Sequence, residues 1–145
     1  MTGIVVHLSA PEGEDIPRSL LEEAVHLTLR EEGWEEGEVS VAFLTDDEAR
    51  RMNREHLGHD WVPDVLSFEL HGVEEPPHAD LYVGIEQARR QALDEGVAEV
   101  EELVRLVIHG LLHTLGWDHP EEAEARGESP HYRRQEELLA RVMSS

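Results

Sequence analysis

The chain contains no cysteine and no lysine. Without thiols, histidine and carboxylate are the available metal ligands, and nothing suggests secretion or a disulfide scaffold. No stretch approaches the roughly 18 continuous apolar residues that a membrane span needs. The amino terminus, MTGIVVHLSA, lacks a basic region followed by a long apolar run, so a cytoplasmic protein without a membrane segment is expected. Also missing are a glycine-rich phosphate loop, a Ser-His-Asp order and an aromatic stacking platform. Their absence argues against nucleotide-driven motor chemistry, serine hydrolysis and single-strand binding by base stacking. Cations are scarce: 12 basic residues face 33 acidic ones, for a net charge of −21, which opposes unspecific attraction to a polyanion.

Against these absences stands one stretch, Ala98 to Pro120, AEVEELVRLVIHGLLHTLGWDHP. Val100, Leu103, Val104, Val107, Ile108, Leu111, Leu112 and Leu115 recur at three- and four-residue steps, the pattern of a helix with a broad apolar stripe. His109 and His113 fall on the roughly opposite side, with Glu102 between their directions. Residues four apart lie one turn above each other, about 5 to 6 Å between Cβ atoms, close enough for two imidazoles to hold one ion. Gly116 then stops the helix, and a left-handed glycine turn is able to bring His119 back toward the other two. Three imidazoles with an open fourth position make a catalytic zinc site, one Zn2+ per chain, since structural sites are normally closed by four protein ligands. Nickel, copper and cobalt also take imidazole. The plain alternative is a set of solvated surface histidines. Asp118 is either the acceptor that orients a ligating histidine or a turn residue.

H-x3-H-x5-H with a glycine at Gly116 also matches the metzincin protease pattern, with one exception. Those proteases carry a glutamate general base directly after the first histidine, and here that position is Gly110. A peptidase or amidase is therefore the weaker reading.

With 145 residues the chain suits one domain, 1–145, with a core that needs no disulfides. Gly3 to Ser9 reads as a strand. Pro17 opens a helix that Gly33 closes, and Val39 to Leu44 alternates as a second strand. Thr45 with Glu48 forms a capping box for a helix from Asp46 to Leu57, stopped by Gly58. Strands follow at Asp64 to Leu70 and Asp80 to Ile85, then a helix from Glu86 to Glu95 before Gly96. A loop to about Pro130 precedes a last helix, Tyr132 to Val142. Four strands with helices between and after them give an α/β or α+β sheet covered by helices. Arg50, Arg51, Arg54, Arg89 and Arg90 are either a local phosphate-facing patch or ordinary surface charges paired with nearby acids.

HGLLHTLGWDH, from His109 to His119, resembles the signature of the YbeY family, bacterial metal-dependent endoribonucleases of ribosomal RNA maturation. DVLSFEL at Asp64 to Leu70 and ADLYVGIEQARRQA at Ala79 to Ala92 are similar to further segments of that family, and the resemblance covers most of the chain. It implies a zincin-like α+β domain with a central metal-binding helix beside a small mixed four-stranded sheet. It also implies a zinc-dependent, single-strand-specific endoribonuclease acting in 16S rRNA 3′-end maturation and ribosome quality control, with ribosomal RNA and the small ribosomal subunit as partners. A monomer is the default. Catalysis would run through His109, His113 and His119 by way of the metal, with Asp64 contributing and Ser67 in the cleft; from the residues alone, Asp64 equally caps a turn and Ser67 equally faces solvent. The chain departs from the family at Leu57, where an arginine is expected, and at Pro63, where a threonine is expected. A phosphate-stabilising arginine near the metal is thus missing from its place. Besides the amide hydrolase, this leaves a non-catalytic ribosome assembly factor with a structural metal as an alternative.

Overall fold

The computed structural model describes residues 3–117 and 129–144. Along the chain run β1 (Gly3–Ser9), α1 (Arg18–Glu31), β2 (Glu36–Leu44), α2 (Asp46–Leu57), β3 (Val65–Glu69), β4 (His78–Gly84), α3 (Ile85–Glu95), α4 (Glu99–Thr114) and α5 (Pro130–Met143). The sheet order is β1-β2-β4-β3. β1 pairs β2 and β2 pairs β4 in parallel, whereas β3 is antiparallel to β4, with Ser67 opposite Leu81. This is a mixed α/β fold, with four strands and five helices among the described residues. None of those helices is long and apolar enough to cross a membrane.

Local chemistry sets the element ends. Thr45 caps α2 through a reciprocal box: Glu48 N–H donates to Thr45 Oγ1 at 3.3 Å, and Thr45 N–H donates to Glu48 Oε1 at 3.0 Å. Gly58 closes that helix at φ +72°, a left-handed conformation that glycine adopts without penalty. α5 begins two residues earlier than its apolar spacing predicts. Ser129 accepts the Tyr132 N–H at 3.1 Å and Pro130 occupies the first turn, so the Ser-Pro pair belongs to the helix start and not to the preceding loop.

α4 is the core element. Leu103, Val104, Val107, Ile108, Leu111 and Leu112 of its predicted stripe are buried, but Val100 is 37% exposed and Leu106, outside the stripe, is buried. The difference comes from its surroundings. α1, α3, α5, β3 and β4 all pack on α4, so burial wraps well beyond one face, and past its first turn the strip carrying His109 and His113 is the less covered side.

Gly110 shows how tightly that packing is set. A Cβ there would lie 3.1 Å from Val65 Cγ2 and 3.3 Å from Leu81 Cδ2. Side chains at this position would point into β3 and β4, so its glycine permits the helix to lie close on the sheet.

Candidate active site

A cleft of about 740 Å³ opens between α4, α5, the end of α3 and the edge strand β3. Its walls include Glu102, Arg105, Leu106, His109 and His113 from α4, Asp64 to Ser67 from β3 and its approach, and Tyr132 and Gln135 from α5. β3 contributes because its residues alternate: Val65 and Ser67 point toward α4.

The structure brings His109 and His113 together on this cleft, one helical turn apart, His109 half-buried and His113 exposed. The α4 helix ends at Thr114, and Gly116 has φ +99°, which is the glycine turn expected from the sequence. His119 and Asp118 lie outside the described residues. Among the described residues no group of three His, Cys, Asp or Glu side chains is placed to hold a metal. The donor chemistry of the two described histidines nonetheless suits a metal. Both are imidazoles facing one open cleft, and the Nδ1 of His109 is engaged on the protein side, 2.6 Å from Gln135 Oε1, which turns its other nitrogen outward.

Around His109 the residues were not all legible in the sequence. His131 stacks on its ring at 4.5 Å with an interplanar angle of 13°, and His131 Nε2–H donates to the His109 carbonyl at 3.2 Å. Gln135 Nε2 donates to Glu136 Oε2 at 3.0 Å, and Arg105 Nε donates to the same oxygen at 2.9 Å. Arg105 also meets Glu102 at 2.7 Å and Glu101 at 3.0 Å. One signal was available. His131, Gln135, Leu138 and Val142 form the buried stripe of α5, and a polar residue in an apolar stripe calls for a partner.

Asp64 lines the cleft, and its Oδ1 accepts the Val65 N–H at 2.7 Å, so the turn-capping role is realised at the cleft wall. Ser67 also lines the cleft. Leu57, the departure from the family pattern, sits on the same wall, 49% exposed.

Of the two readings of the arginine cluster, the structure bears out paired surface charge. Arg50 and Arg54 meet Asp60 at 2.9 and 3.6 Å, Arg90 meets Asp46 at 2.9 Å, and Arg89 meets Glu99 at 2.8 Å as well as Glu14. Arg51 lies within the field of Glu48. These arginines stand on α2 and α3 beside acids close in space, and paired surface charge is the arrangement they adopt. The described arginine that does line the cleft is Arg105.

Burial pushes the Glu136 carboxyl up, but hydrogen bonds from Arg105 and Gln135 outweigh it and hold it below its ordinary value of 4.5. Asp60 is lowered by its hydrogen bond from Arg50, and Glu14 by that from Arg89. Groups that bind protons less readily when folded contribute stability above the unfolded value and lose it as pH falls through the folded one. Thermal melts are therefore expected to show little loss from pH 7 to about 5 and a progressive fall below about 4.5.

Residues 11–142 match the family Endoribonuclease YbeY. The chain belongs to this family. An Endoribonuclease YbeY of Geobacillus kaustophilus is 39% identical over 145 residues, covering 92% of this chain and 88% of the relative. Its counterpart in Desulfitobacterium hafniense is 39% identical over 126 residues, covering 80% and 76%. The solution structure of a Thermotoga maritima target protein matches with a TM-score of 0.67 at 25% identity, covering 97% of this chain and 90% of that one. Family membership identifies an endoribonuclease, a hydrolase of RNA phosphodiester bonds, and the α4 cleft is its candidate active site.

Proposed function

We propose that the cleft belongs to a zinc-dependent, single-strand-specific endoribonuclease of zincin-like architecture, with α4 as the metal-binding helix and His109, His113 and His119 as ligands. Its work is 16S rRNA 3′-end maturation and ribosome quality control in the cytoplasm, with ribosomal RNA and the small ribosomal subunit as partners. The observation that carries the reading is His109 and His113 facing one cleft from successive turns, with Nδ1 of His109 engaged at 2.6 Å by Gln135. When bound, zinc on three neutral imidazoles supplies Lewis acidity, both to activate an attacking hydroxyl and to neutralise charge on the phosphate.

The chain's own residues supply the rest. His109 and His113 orient the reacting region against the β3 edge. Asp64 and Ser67 offer oxygen atoms to ribose hydroxyls along that edge. An extended single strand fits an open cleft better than a duplex does, whose reactive backbone is held in a rigid double helix.

A second reading has its own observation. Leu57 stands at the cleft in place of an arginine, and Arg105 is engaged by three carboxylates. Phosphate stabilisation then has no obvious cation among the described residues, as suits a non-catalytic assembly factor that keeps its metal for folding.

Metal removal tests the first reading. Protein of measured zinc content is assayed on a structured ribosomal RNA, stripped with a chelator, then reloaded. Cleavage is expected to vanish on stripping and return with about one zinc per chain. Cleavage that survives full removal of the metal sinks the zinc-dependent nuclease, and a fully loaded protein that cuts nothing favours the assembly factor.

A further inference from the structure

We infer that Gln135, itself aligned by Glu136 and Arg105, is a positioning residue that fixes His109 as the Nδ1–H tautomer and so presents the Nε2 lone pair to the cleft. The inference rests on the reading of His109 as a metal ligand and goes beyond it, to which protein groups make it one.

The logic runs from a group with no choice to one that has two. Arg105 is always protonated and only donates. Its fork reaches Glu136 with Nε to Oε2 at 2.9 Å and a terminal N–H to Oε1 at 3.2 Å. Glu136, with these donors upon it, is an ionised acceptor. The Gln135 atom 3.0 Å from Oε2 must then be its amide nitrogen, because the carbonyl oxygen there would set two acceptors against each other in a site where Gln135 is 4% exposed. With the nitrogen so placed, Gln135 turns its oxygen to His109 Nδ1 at 2.6 Å. That oxygen only accepts, so Nδ1 carries the proton. A neutral imidazole has one ring N–H, which leaves Nε2 as the lone pair a metal requires.

The ring plane is fixed from the same helix. His131, one turn before Gln135 on α5 and fully buried, stacks on His109 and donates to its carbonyl. α5 thus sets both the plane of the ring and the choice between its nitrogens.

The test begins with the metal-free wild type labelled with 15N, using long-range proton–nitrogen correlations of the His109 ring at about pH 8, above the ordinary histidine range. The expected result is Nδ1 protonated and Nε2 unprotonated. Glu136→Leu, which frees the Gln135 amide to turn over, is expected to give a mixture of the two tautomers. Zn2+ affinity by chelator competition is expected to weaken about 10- to 100-fold in Gln135→Leu, with circular dichroism confirming that the variant is folded. A wild-type His109 protonated on Nε2 overturns the inference, as does a folded Gln135→Leu that binds Zn2+ as tightly as wild type. The tautomer readout needs neither metal nor RNA. A wild type that binds no zinc or cuts no RNA therefore counts against the proposed function, and the ring nitrogens alone decide the role of Gln135.

Discussion

His113→Ala is expected to slow cleavage of ribosomal RNA about 10³-fold while leaving the fold in place. A ligated metal contributes several kcal/mol of charge stabilisation to a phosphodiester transition state, and about 4 kcal/mol corresponds to three decades in rate. The structural cost is small by comparison. His113 is exposed on the cleft side of α4 and lies outside the core, so its truncation should shift stability by no more than about 0.5 kcal/mol. The comparison also controls for contamination, because a nuclease carried through purification would persist unchanged in the variant. Two measurements complete it: zinc content, expected to fall with activity, and association with the small ribosomal subunit, expected to remain. Ribosomal RNA that matures normally in cells carrying His113→Ala would reject the catalytic reading and leave the assembly factor.

Arg105→Met should lower stability by about 3 to 5 kcal/mol. Arg105 joins Glu101, Glu102 and Glu136 at 2.7 to 3.0 Å, with its side chain 19% exposed and that of Glu102 only 6% exposed. Burial pushes the Arg105 pKa down, but the hydrogen bonds it donates to Glu136 and Glu102 more than compensate, so the guanidinium stays charged. Methionine fills much of the same volume but leaves three carboxylates converging without a counter-charge. Glu102 is the worst placed, since its remaining partner is the Gln91 amide at 2.9 Å. A loss of this size corresponds to a fall in melting temperature of about 10 °C or more. Arg105→Lys, which keeps the charge and loses the fork, should fall between the two proteins. A melting temperature for Arg105→Met within a degree or two of wild type would show that the three glutamates reach water when the arginine is gone.

Much of this molecule was legible in its residues because local chemistry decides it. The Thr45–Glu48 box, the glycines at 58, 96 and 116, and the apolar repeat of α4 each leave their mark within a few positions, and the structure places element ends close to them. The strand order β1-β2-β4-β3 was not legible, since pairing β2 with β4 depends on contacts across long stretches of chain. The arginine cluster left two readings open for a related reason. Spacing along the chain does not reveal that Asp60, Asp46, Glu14 and Glu99 fold back onto those side chains. At the site, a histidine pair four residues apart announces itself. The acceptor behind it does not, because Gln135 reaches His109 across 26 positions. The sequence instead offered Asp118, a neighbour in the chain, which lies outside the described residues.

Gly110 separates two enzymes that look one letter apart. On paper, exchanging this glycine for glutamate completes a protease signature. In space the new side chain would be driven between helix and sheet, against Val65 and Leu81, where a carboxylate is costly to bury. The two chemistries are therefore separated by packing as well as by one letter: any side chain at 110 requires Val65 and Leu81 to give way between α4 and the sheet. An engineer seeking peptide hydrolysis on this frame has to redesign a helix–sheet interface before touching the catalytic motif.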